Sequence, residues 1–330
     1  MPSPPAPRHL LSIADVADDL PAVLRRAAFL KAERRRGRSP VPLRGRTVAL
    51  IFEKHSTRTR TSFEVAAHDL GGHSLFLSTK DLQLGRGETI PDTARVLSRY
   101  VDVLVYRAFR HGDMETLARW SSIPVINALD DREHPCQAVA DLLTLHERWK
   151  GRWAGRRLAY IGDGNNVLHS LLLGAASVGL SLTAACPKGY EPDPAILREA
   201  EDRARSTGAT VRVVHDPVEA AEGSDALYTD VWVSMGDEAQ QAAREAAFAG
   251  FQVNDALLDR ARPGAFAMHD LPAHRGQEIT DAVMDGPRQA IWDQAENRLH
   301  AQKALLEWCV APVRSRERTT TRRLRSSRPS

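Results

Sequence analysis

Short apolar runs alternate with segments of helical spacing along the first half of the chain. The apolar runs predict strands at Thr47–Phe52, 101–106 and 124–127, and the helical spacing predicts helices at 58–70 and 135–150. Strands that alternate with helices are typical of a parallel sheet that helices cover on both faces. The pattern therefore predicts a doubly wound α/β domain.

The same alternation restarts after residue 151. It predicts strands at Arg157–Ile161, 182–185, Val211–Val214, 226–228 and 266–268, and helices at 167–178, 194–206, 237–249 and 297–309. We therefore predict two doubly wound parallel-sheet α/β domains, 1–148 and 149–311, with the last helix packing back on the first domain. In open sheets of this kind ligands bind beyond the carboxyl ends of the strands, so the informative residues should follow strands.

Composition narrows the class of protein. The chain has 330 residues, of which 42% are hydrophobic, enough for a large core. No apolar run approaches the ~18 residues of a membrane span, and the Pro-rich residues 1–8 lack the apolar centre of a secretory signal, so we expect a cytoplasmic protein without a membrane partner. Cys136, Cys186 and Cys309 form no CxxC pair, so neither a disulfide framework nor a zinc site is expected.

The formal net charge of +3 is unevenly distributed. Residues 312–330 contain seven arginines and one glutamate, so the rest of the chain is slightly acidic. A tail of Ser, Thr and Arg without apolar periodicity favours a basic, disordered, solvated extension. Nucleic-acid binding by the tail is the alternative, because clustered arginines neutralise phosphates.

Hydroxyl and guanidinium side chains follow the strand Thr47–Phe52, directly before the predicted helix. Ser56, Thr57 and Thr59 supply hydroxyls, and Arg58 supplies a planar fork of donors suited to phosphate oxygens. A helix start adds free N–H groups and the positive end of the helix dipole. The segment therefore predicts an anion site, with a capped helix bearing surface arginines as the alternative. No GxxxxGK[ST] string is present, so ATP or GTP hydrolysis is unsupported.

The string STRTR at 56–60 resembles the carbamoyl phosphate loop of the aspartate/ornithine carbamoyltransferase family. HPCQ at 134–137, GDGNN at 162–166 and DVWVSMG at 230–236 resemble further strings of that family, in the expected order. DVWVSMG is similar to a loop of the ornithine branch that the aspartate branch lacks. The resemblance implies the transcarbamylase fold, with the active site in the cleft between the two domains.

The resemblance also implies which residues bind carbamoyl phosphate. Gln83, in the loop 82–88, would reach the site from a neighbouring subunit, and Arg107 and His134 would hold the carbonyl oxygen. The full set implied for carbamoyl phosphate is Ser56, Thr57, Arg58, Thr59, Gln83, Arg107, His134, Gln137, Leu271 and Arg298. The set implied for catalysis is Arg58, Thr59, Arg107, His134, Asp270 and Arg298.

The acceptor amino acid is expected on the second domain. The set implied for it is Asn166, Asp230, Ser234, Met235 and Asp270. A Gly-rich turn after a strand also occurs in dinucleotide-binding proteins, but the GxGxxG fingerprint is incomplete because Val167 occupies its third glycine position. We therefore expect no nicotinamide cofactor, and the resemblance calls for no metal.

One string departs from the family. The family typically has HCLP near the point of carbamoyl transfer, whereas this chain has HDLP, with Asp270 in place of the cysteine. A carboxylate there favours the charged form of the attacking amine, which must be neutral, unless it accepts the proton as a general base. Asp270 could instead bind a different acceptor.

The resemblance implies a carbamoyltransferase that moves the carbamoyl group of carbamoyl phosphate to the side-chain amine of an amino acid. Ornithine, giving citrulline and phosphate, is the default acceptor. Another diamino acid such as 2,3-diaminopropionate, and a non-catalytic paralogue that binds carbamoyl phosphate, stay open because of Asp270. The resemblance further implies a homotrimer with shared active sites.

Overall fold

The computed structural model describes residues 6–78, 82, 87–233 and 241–311. Within them the chain forms two sheets in which every paired strand is parallel to its neighbour. The prediction of two doubly wound α/β domains is confirmed. The boundary at residues 148 and 149 stays a prediction. Among the described residues, no helix has both the length and the apolar composition that a bilayer crossing requires.

The first sheet contains four strands in the order β2-β1-β3-β4. Its strands are β1 (Thr47–Phe52), β2 (His73–Ser78), β3 (Val103–Arg107) and β4 (Val125–Leu129). The helices of this half are a 3-10 helix (Ile13–Asp19), α1 (Leu20–Arg35), α2 (Thr57–Asp69), α3 (Ile90–Leu97), α4 (His111–Trp120) and α5 (Pro135–Trp149).

The second sheet contains five strands in the order β7-β6-β5-β8-β9. Its strands are β5 (Arg157–Ile161), β6 (Ser181–Ala185), β7 (Val211–Val214), β8 (Ala226–Thr229) and β9 (Phe266–His269). The helices are α6 (Asn166–Val178), α7 (Pro194–Thr207), α8 (Pro217–Ala221), α9 (Gln241–Phe248), α10 (Asp255–Leu258), α11 (Asp281–Asp285) and α12 (Ile291–Val310).

The central strands of each sheet are buried on both faces, which explains why they are apolar without alternation. Alternate residues of β1, such as Leu50 and Ile51, belong to two different apolar clusters. The same holds for Tyr160 and Ile161 in β5. One of these clusters includes residues from both halves of the chain, so the two domains share a continuous core.

Helix α12 completes that core. It packs against α5, α1 and α2, although it lies at the far end of the described chain. Its Asn297 accepts a hydrogen bond from the buried Lys31 of α1 at 2.7 Å, and its Lys303 pairs with Asp69 at the end of α2. Leu305 is fully buried in the shared cluster.

Strand order determines where a ligand site can form. Sequence order reverses between β1 and β3 in the first sheet, and between β5 and β8 in the second. At such switch points the loops after neighbouring strands diverge and leave a crevice. Four strands lead to residues singled out from the sequence: Ser56 to Thr59 follow β1, Arg107 ends β3, Asn166 follows β5 and Asp230 follows β8.

The sequence pattern missed or shortened a few elements. Strand β2 was not predicted, because it is a half-exposed edge strand without a continuous buried run. Helix α12 begins at Ile291 rather than 297, because its first turns mix polar and apolar residues. The helix predicted at 237–249 is described from Gln241 to Phe248.

Gly164, in the turn after β5, is a glycine because another segment of backbone packs directly against it. A Cβ built there would lie 2.3 Å from the backbone carbon of Glu191, a separation that side chains do not tolerate. The N–H of Gly164 donates to the carbonyl of Tyr190 at 2.8 Å, which holds the two segments together.

We expect Gly164→Ala to lower the free energy of unfolding by about 1–3 kcal/mol, because backbone must move to admit the methyl group. Gly112→Ala is the matched control: nothing lies within 4 Å of a Cβ there, and the position is in α4. The control should stabilise by up to about 1 kcal/mol. Urea denaturation of both variants measures the difference, and equal midpoints would contradict the close approach.

Candidate active site

A cleft of about 630 Å³ lies where the carboxyl ends of the two sheets face each other. Residues at or beyond the carboxyl ends of β1, β3, β4, β5, β8 and β9 line it, together with Arg298 from α12. The predicted site residues that line it are Ser56, Thr57, Arg58, Thr59, Arg107, His134, Asn166, Asp230, Asp270, Leu271 and Arg298.

The first wall of the cleft is the N-terminus of α2. Ser56 is the N-cap, and its Oγ accepts the N–H of Thr59 at 3.2 Å. The first turn of a helix has N–H groups without an intrahelical acceptor, and it is the positive end of the dipole. Thr57 and Arg58 also line the cleft, so this wall favours an anion.

Two further arginines concentrate positive charge on the same wall. Arg107 ends β3, and Arg298 reaches across from α12 to donate to Thr59 Oγ1 at 2.5 Å. Both side chains are buried, and each has an Nε atom without a hydrogen-bond partner among the described residues. Burial and repulsion from Arg298 and Arg58 lower the pKa of Arg107 to about 10. Like charges this close disfavour one another, so this wall favours a bound anion.

His134 lies on the same side, at the N-terminus of α5. Its backbone N–H donates to Ser170 Oγ at 2.9 Å, whereas its side chain does not cap the helix. Burial, followed by the charges of Arg298 and Arg107, lowers the pKa of His134 well below its ordinary value. The ring is therefore neutral at pH 7 and offers one N–H donor.

Gln137 lies one turn further along α5, behind the surface of the cleft. Its Nε2 donates to Asp141 Oδ1 at 2.7 Å, and its buried Oε1 has no partner among the described residues. Asp141 also accepts from Gln294 and Tyr228. Burial and the charge of Asp270 raise the pKa of Asp141 to about 7. This network fixes the orientation of the Gln137 side chain and leaves its Oε1 without a partner among the described residues.

The opposite wall contains the residues expected to bind the amino acid. Asp230 directly follows β8; it accepts from Asn165 Nδ2 at 2.8 Å and from the N–H of Val231 at 2.7 Å. Asn165 also caps α6. Asn166 donates to the carbonyl of Asp130 at 2.6 Å and thereby links the two domains beside the cleft. Asn165 was not singled out from the sequence, although it lies within the GDGNN string.

Asp270 follows β9 and lies beside Asp230. Its Oδ1 is 3.5 Å from His269 Nδ1. One side-chain nitrogen or oxygen atom from each of Asp230, His269 and Asp270 lies within 4.8 Å of the others. Burial and the charge of Asp270 raise the pKa of Asp230 well above its ordinary value. Two close buried carboxyl groups hold a proton or a cation between them.

His269 is already engaged by its own loop. Its Nδ1 accepts the N–H of Leu271 at 2.9 Å, and a cationic ring has no lone pair there. The geometry is therefore that of a neutral ring with its proton on Nε2, 3.1 Å from Glu278 Oε1, and charging the ring would break the Leu271 contact.

The structure thus brings together most of the predicted site. Gln137 lies behind the cleft, and Gln83, Ser234 and Met235 lie outside the described residues. Lining residues that were not predicted include Lys54, His55, His274, Gln241 and Gln277. Lys54 and His55 lie in the same loop as the STRTR string, so the sequence could have identified them as lining residues. Gln241 and Gln277 follow no strand directly, so the sequence pattern did not point to them.

Comparisons with known proteins agree with this geometry. Residues 8–147 match the model of the carbamoyl-phosphate-binding domain of aspartate/ornithine carbamoyltransferases, and residues 154–309 match that of the Asp/Orn-binding domain. The chain is 54% identical to an ornithine carbamoyltransferase of Anoxybacillus flavithermus, covering 91% of this chain and 95% of that one. It is 50% identical to the anabolic ornithine carbamoyltransferase of Pyrococcus furiosus, covering 94% and 98%.

A solved structure supports the same conclusion. The ornithine carbamoyltransferase structure from Pyrococcus furiosus superposes with a TM-score of 0.88 at 50% identity, covering 92% of this chain and 96% of that one. Two matching domain models, high identity over nearly the full length and a common fold all agree. The chain belongs to the aspartate/ornithine carbamoyltransferase family.

Proposed function

We propose that this protein transfers the carbamoyl group of carbamoyl phosphate to the side-chain amine of ornithine, giving citrulline and phosphate. One observation supports it above all. A single cleft has an anion-binding wall of arginines and a helix N-terminus, and opposite it a wall with the carboxyl groups of Asp230 and Asp270. The first suits a phosphorylated donor and the second an acceptor with ammonium groups.

The donor half performs acyl transfer by fixed electrostatics. Arg58 and the N–H groups at the start of α2 bind the phosphate and stabilise it as it departs. Thr59, Arg107 and the neutral His134 donate to the carbonyl oxygen as it gains negative charge. Gln137 and the backbone of Leu271 orient the carbamoyl amide. Arg298 holds Thr59 in place and adds charge beside the phosphate.

The acceptor half positions the nucleophile. Asp230 pairs with the α-ammonium group, with Asn166, Ser234 and Met235 beside it. The side-chain nitrogen then meets the carbamoyl carbon near Asp270. Holding both substrates in one cleft converts a bimolecular encounter into an intramolecular step, which supplies much of the acceleration.

The comparisons favour ornithine over the other acceptors that Asp270 left open. Relatives at about 50% identity that cover nearly the whole chain are named ornithine carbamoyltransferases, and one is named anabolic. Transfer to 2,3-diaminopropionate and a non-catalytic role are therefore not favoured. Production of citrulline in the cytoplasm, as a step in arginine biosynthesis, is the corresponding physiological role.

We also propose a homotrimer with shared active sites. A second recess of about 620 Å³ opens beside the cleft and shares Lys54, His55, Ser56 and Thr57 with it. A segment of a neighbouring subunit that entered this recess would reach the phosphate site directly. The loop 82–88 with Gln83 is the segment that the family resemblance implies.

Arg58→Ala tests the donor site. We expect turnover of carbamoyl phosphate and ornithine to fall by about 10²–10³-fold, because a charged donor to the transition state is lost while the fold is kept. Arg212→Ala, on β7 at an exposed ion pair with Glu219 of α8, is the matched control and should keep full turnover. Citrulline is measured colorimetrically. Near-normal activity of Arg58→Ala would refute the assignment of this wall.

His134 gives a test through stability. Its pKa is lower in the native state than the unfolded value of ~6.5, so the unfolded chain binds more protons below that pH. Its contribution is complete above pH 6.5 and is lost as pH falls toward the folded pKa, at up to about 1.4 kcal/mol per pH unit. We expect His134→Gln to reduce the slope of unfolding free energy between pH 6.5 and 5.

The measurement is urea denaturation across that pH range. His68→Gln, at an exposed position on α2, is the control and should leave the slope as in the parent protein. If both variants keep the parent slope, the ring of His134 is not held neutral by its surroundings.

Shared sites are tested by mixing subunits. Arg58→Ala and Gln83→Ala are each expected to be inactive alone, but a trimer that contains both forms has some sites with both native residues. Activity should therefore rise above either parent when the two are co-expressed. Arg58→Ala with Thr59→Ala changes the same side of the site twice and should show no recovery. A monomer by ultracentrifugation, or no recovery in the first mixture, would refute the shared site.

A further inference from the structure

We propose that Asp270 is the general base of the reaction: its carboxylate takes the proton that the side-chain ammonium of the acceptor must lose before attack. The inference rests on the proposed carbamoyl transfer and concerns a residue that stands where the family typically has cysteine. It follows from where Asp270 lies, from which of its atoms is unpaired and from the proton balance of the reaction.

Asp270 lies at the junction of the two halves of the cleft. It lines the cleft together with Arg107 and Arg298 of the donor wall and with Asp230 of the acceptor wall. Its charge is close enough to act on both arginines. The attacking nitrogen must stand between the amino-acid subsite and the carbamoyl carbon, so it must pass this carboxylate.

One oxygen of Asp270 is an unused acceptor. Oδ1 is buried, and no described residue donates a hydrogen bond to it. His269 Nδ1, at 3.5 Å, makes no hydrogen bond to Oδ1 and instead accepts the N–H of Leu271. An unpaired buried acceptor is costly, and an ammonium group of the substrate would satisfy it.

Asp230, the other carboxyl group that lines the cleft, has no unused acceptor oxygen. Both oxygens of Asp230 already accept hydrogen bonds, from Asn165 and from the backbone of Val231. Asp141 also accepts from three side chains and does not line the cleft. The ionisable groups close enough to Asp270 for its charge to act on them are Asp230, His269, Asp141, Arg107, Arg298, Tyr160 and Tyr228.

The step balances without a further reactant. The ammonium gives one proton to Asp270, the neutral nitrogen bonds to the carbamoyl carbon, and the bond from that carbon to the phosphate oxygen breaks. The second proton leaves the nitrogen with the phosphate, as hydrogen phosphate. Asp270 returns its proton to solvent when the products depart. A base is needed because an amine of pKa ~10.4 is neutral in only on the order of one molecule in a few thousand at pH 7.

Asp270→Asn, which keeps the size and removes the charge, tests the inference. With both substrates saturating, turnover at pH 7 should fall by about 10²–10⁴-fold. The deficit should then shrink about tenfold with each unit of pH up to about 10, as solvent deprotonates the amine instead. Asp270→Glu should recover part of the activity at pH 7. A deficit that is equal at every pH, or no deficit, would overturn the inference.

A second acceptor separates proton transfer from a structural effect. In the aminooxy analogue of ornithine, 2-amino-4-aminooxybutyrate, the side-chain nitrogen is neutral at pH 7 and needs no base. We expect Asp270→Asn to lower turnover of this acceptor by less than about tenfold, against the loss of about 10²–10⁴-fold with ornithine. Equal losses with both acceptors would mean that Asp270 only shapes the site.

Controls make the outcomes distinct. Calorimetry should show that Asp270→Asn still binds carbamoyl phosphate, and if that variant does not fold, Asp270→Ser undergoes the same pH series. A parent protein that forms no citrulline refutes the proposed function itself. An active parent with an equally active Asp270→Asn refutes only the role of Asp270.

Discussion

Opposite charges are buried on the two walls of one cleft without being paired to each other, and this constraint shapes the site. Arg107 and Arg298 are desolvated, and neither has a carboxylate within ion-pair distance among the described residues. Burying such groups is unfavourable, so the surrounding apolar core must offset the cost. A bound dianion on one wall and bound ammonium groups on the other offset this cost. Part of the affinity for the substrates therefore comes from neutralising charges that are buried and unpaired in the free protein.

The parallel sheets explain how distant residues meet at these walls. All strands of a sheet end at the same edge, and the strand order opens a crevice at each switch point. Arg58 and Arg107 therefore converge from loops that are far apart in sequence, as do Asn166 and Asp230. Asn166 also donates to the carbonyl of Asp130, so the hydrogen bonding that holds the domains together is part of the site itself.

Much of the fold and of the donor site could be predicted from the sequence, for specific reasons. Buried strands such as Thr47–Phe52 are continuous apolar runs, and reactive residues follow them, so both fold and donor loop could be predicted. Edge strand β2 could not, because half-exposed strands have no such run. Asn165 and Gln277 were missed because their roles depend on contacts across the chain. The unpaired oxygen of Asp270 depends on the Leu271 contact to His269, which only three-dimensional geometry reveals.

Helix α12 has a consequence for how the protein is made. Its Arg298 belongs to the donor wall, and its Leu305 fills the core shared by both domains. The residues it joins, such as Thr59 and Lys31, leave the ribosome long before it does. A nascent chain therefore has an open core and no complete donor pocket until α12 emerges, so carbamoyl phosphate cannot assist folding before that point in translation.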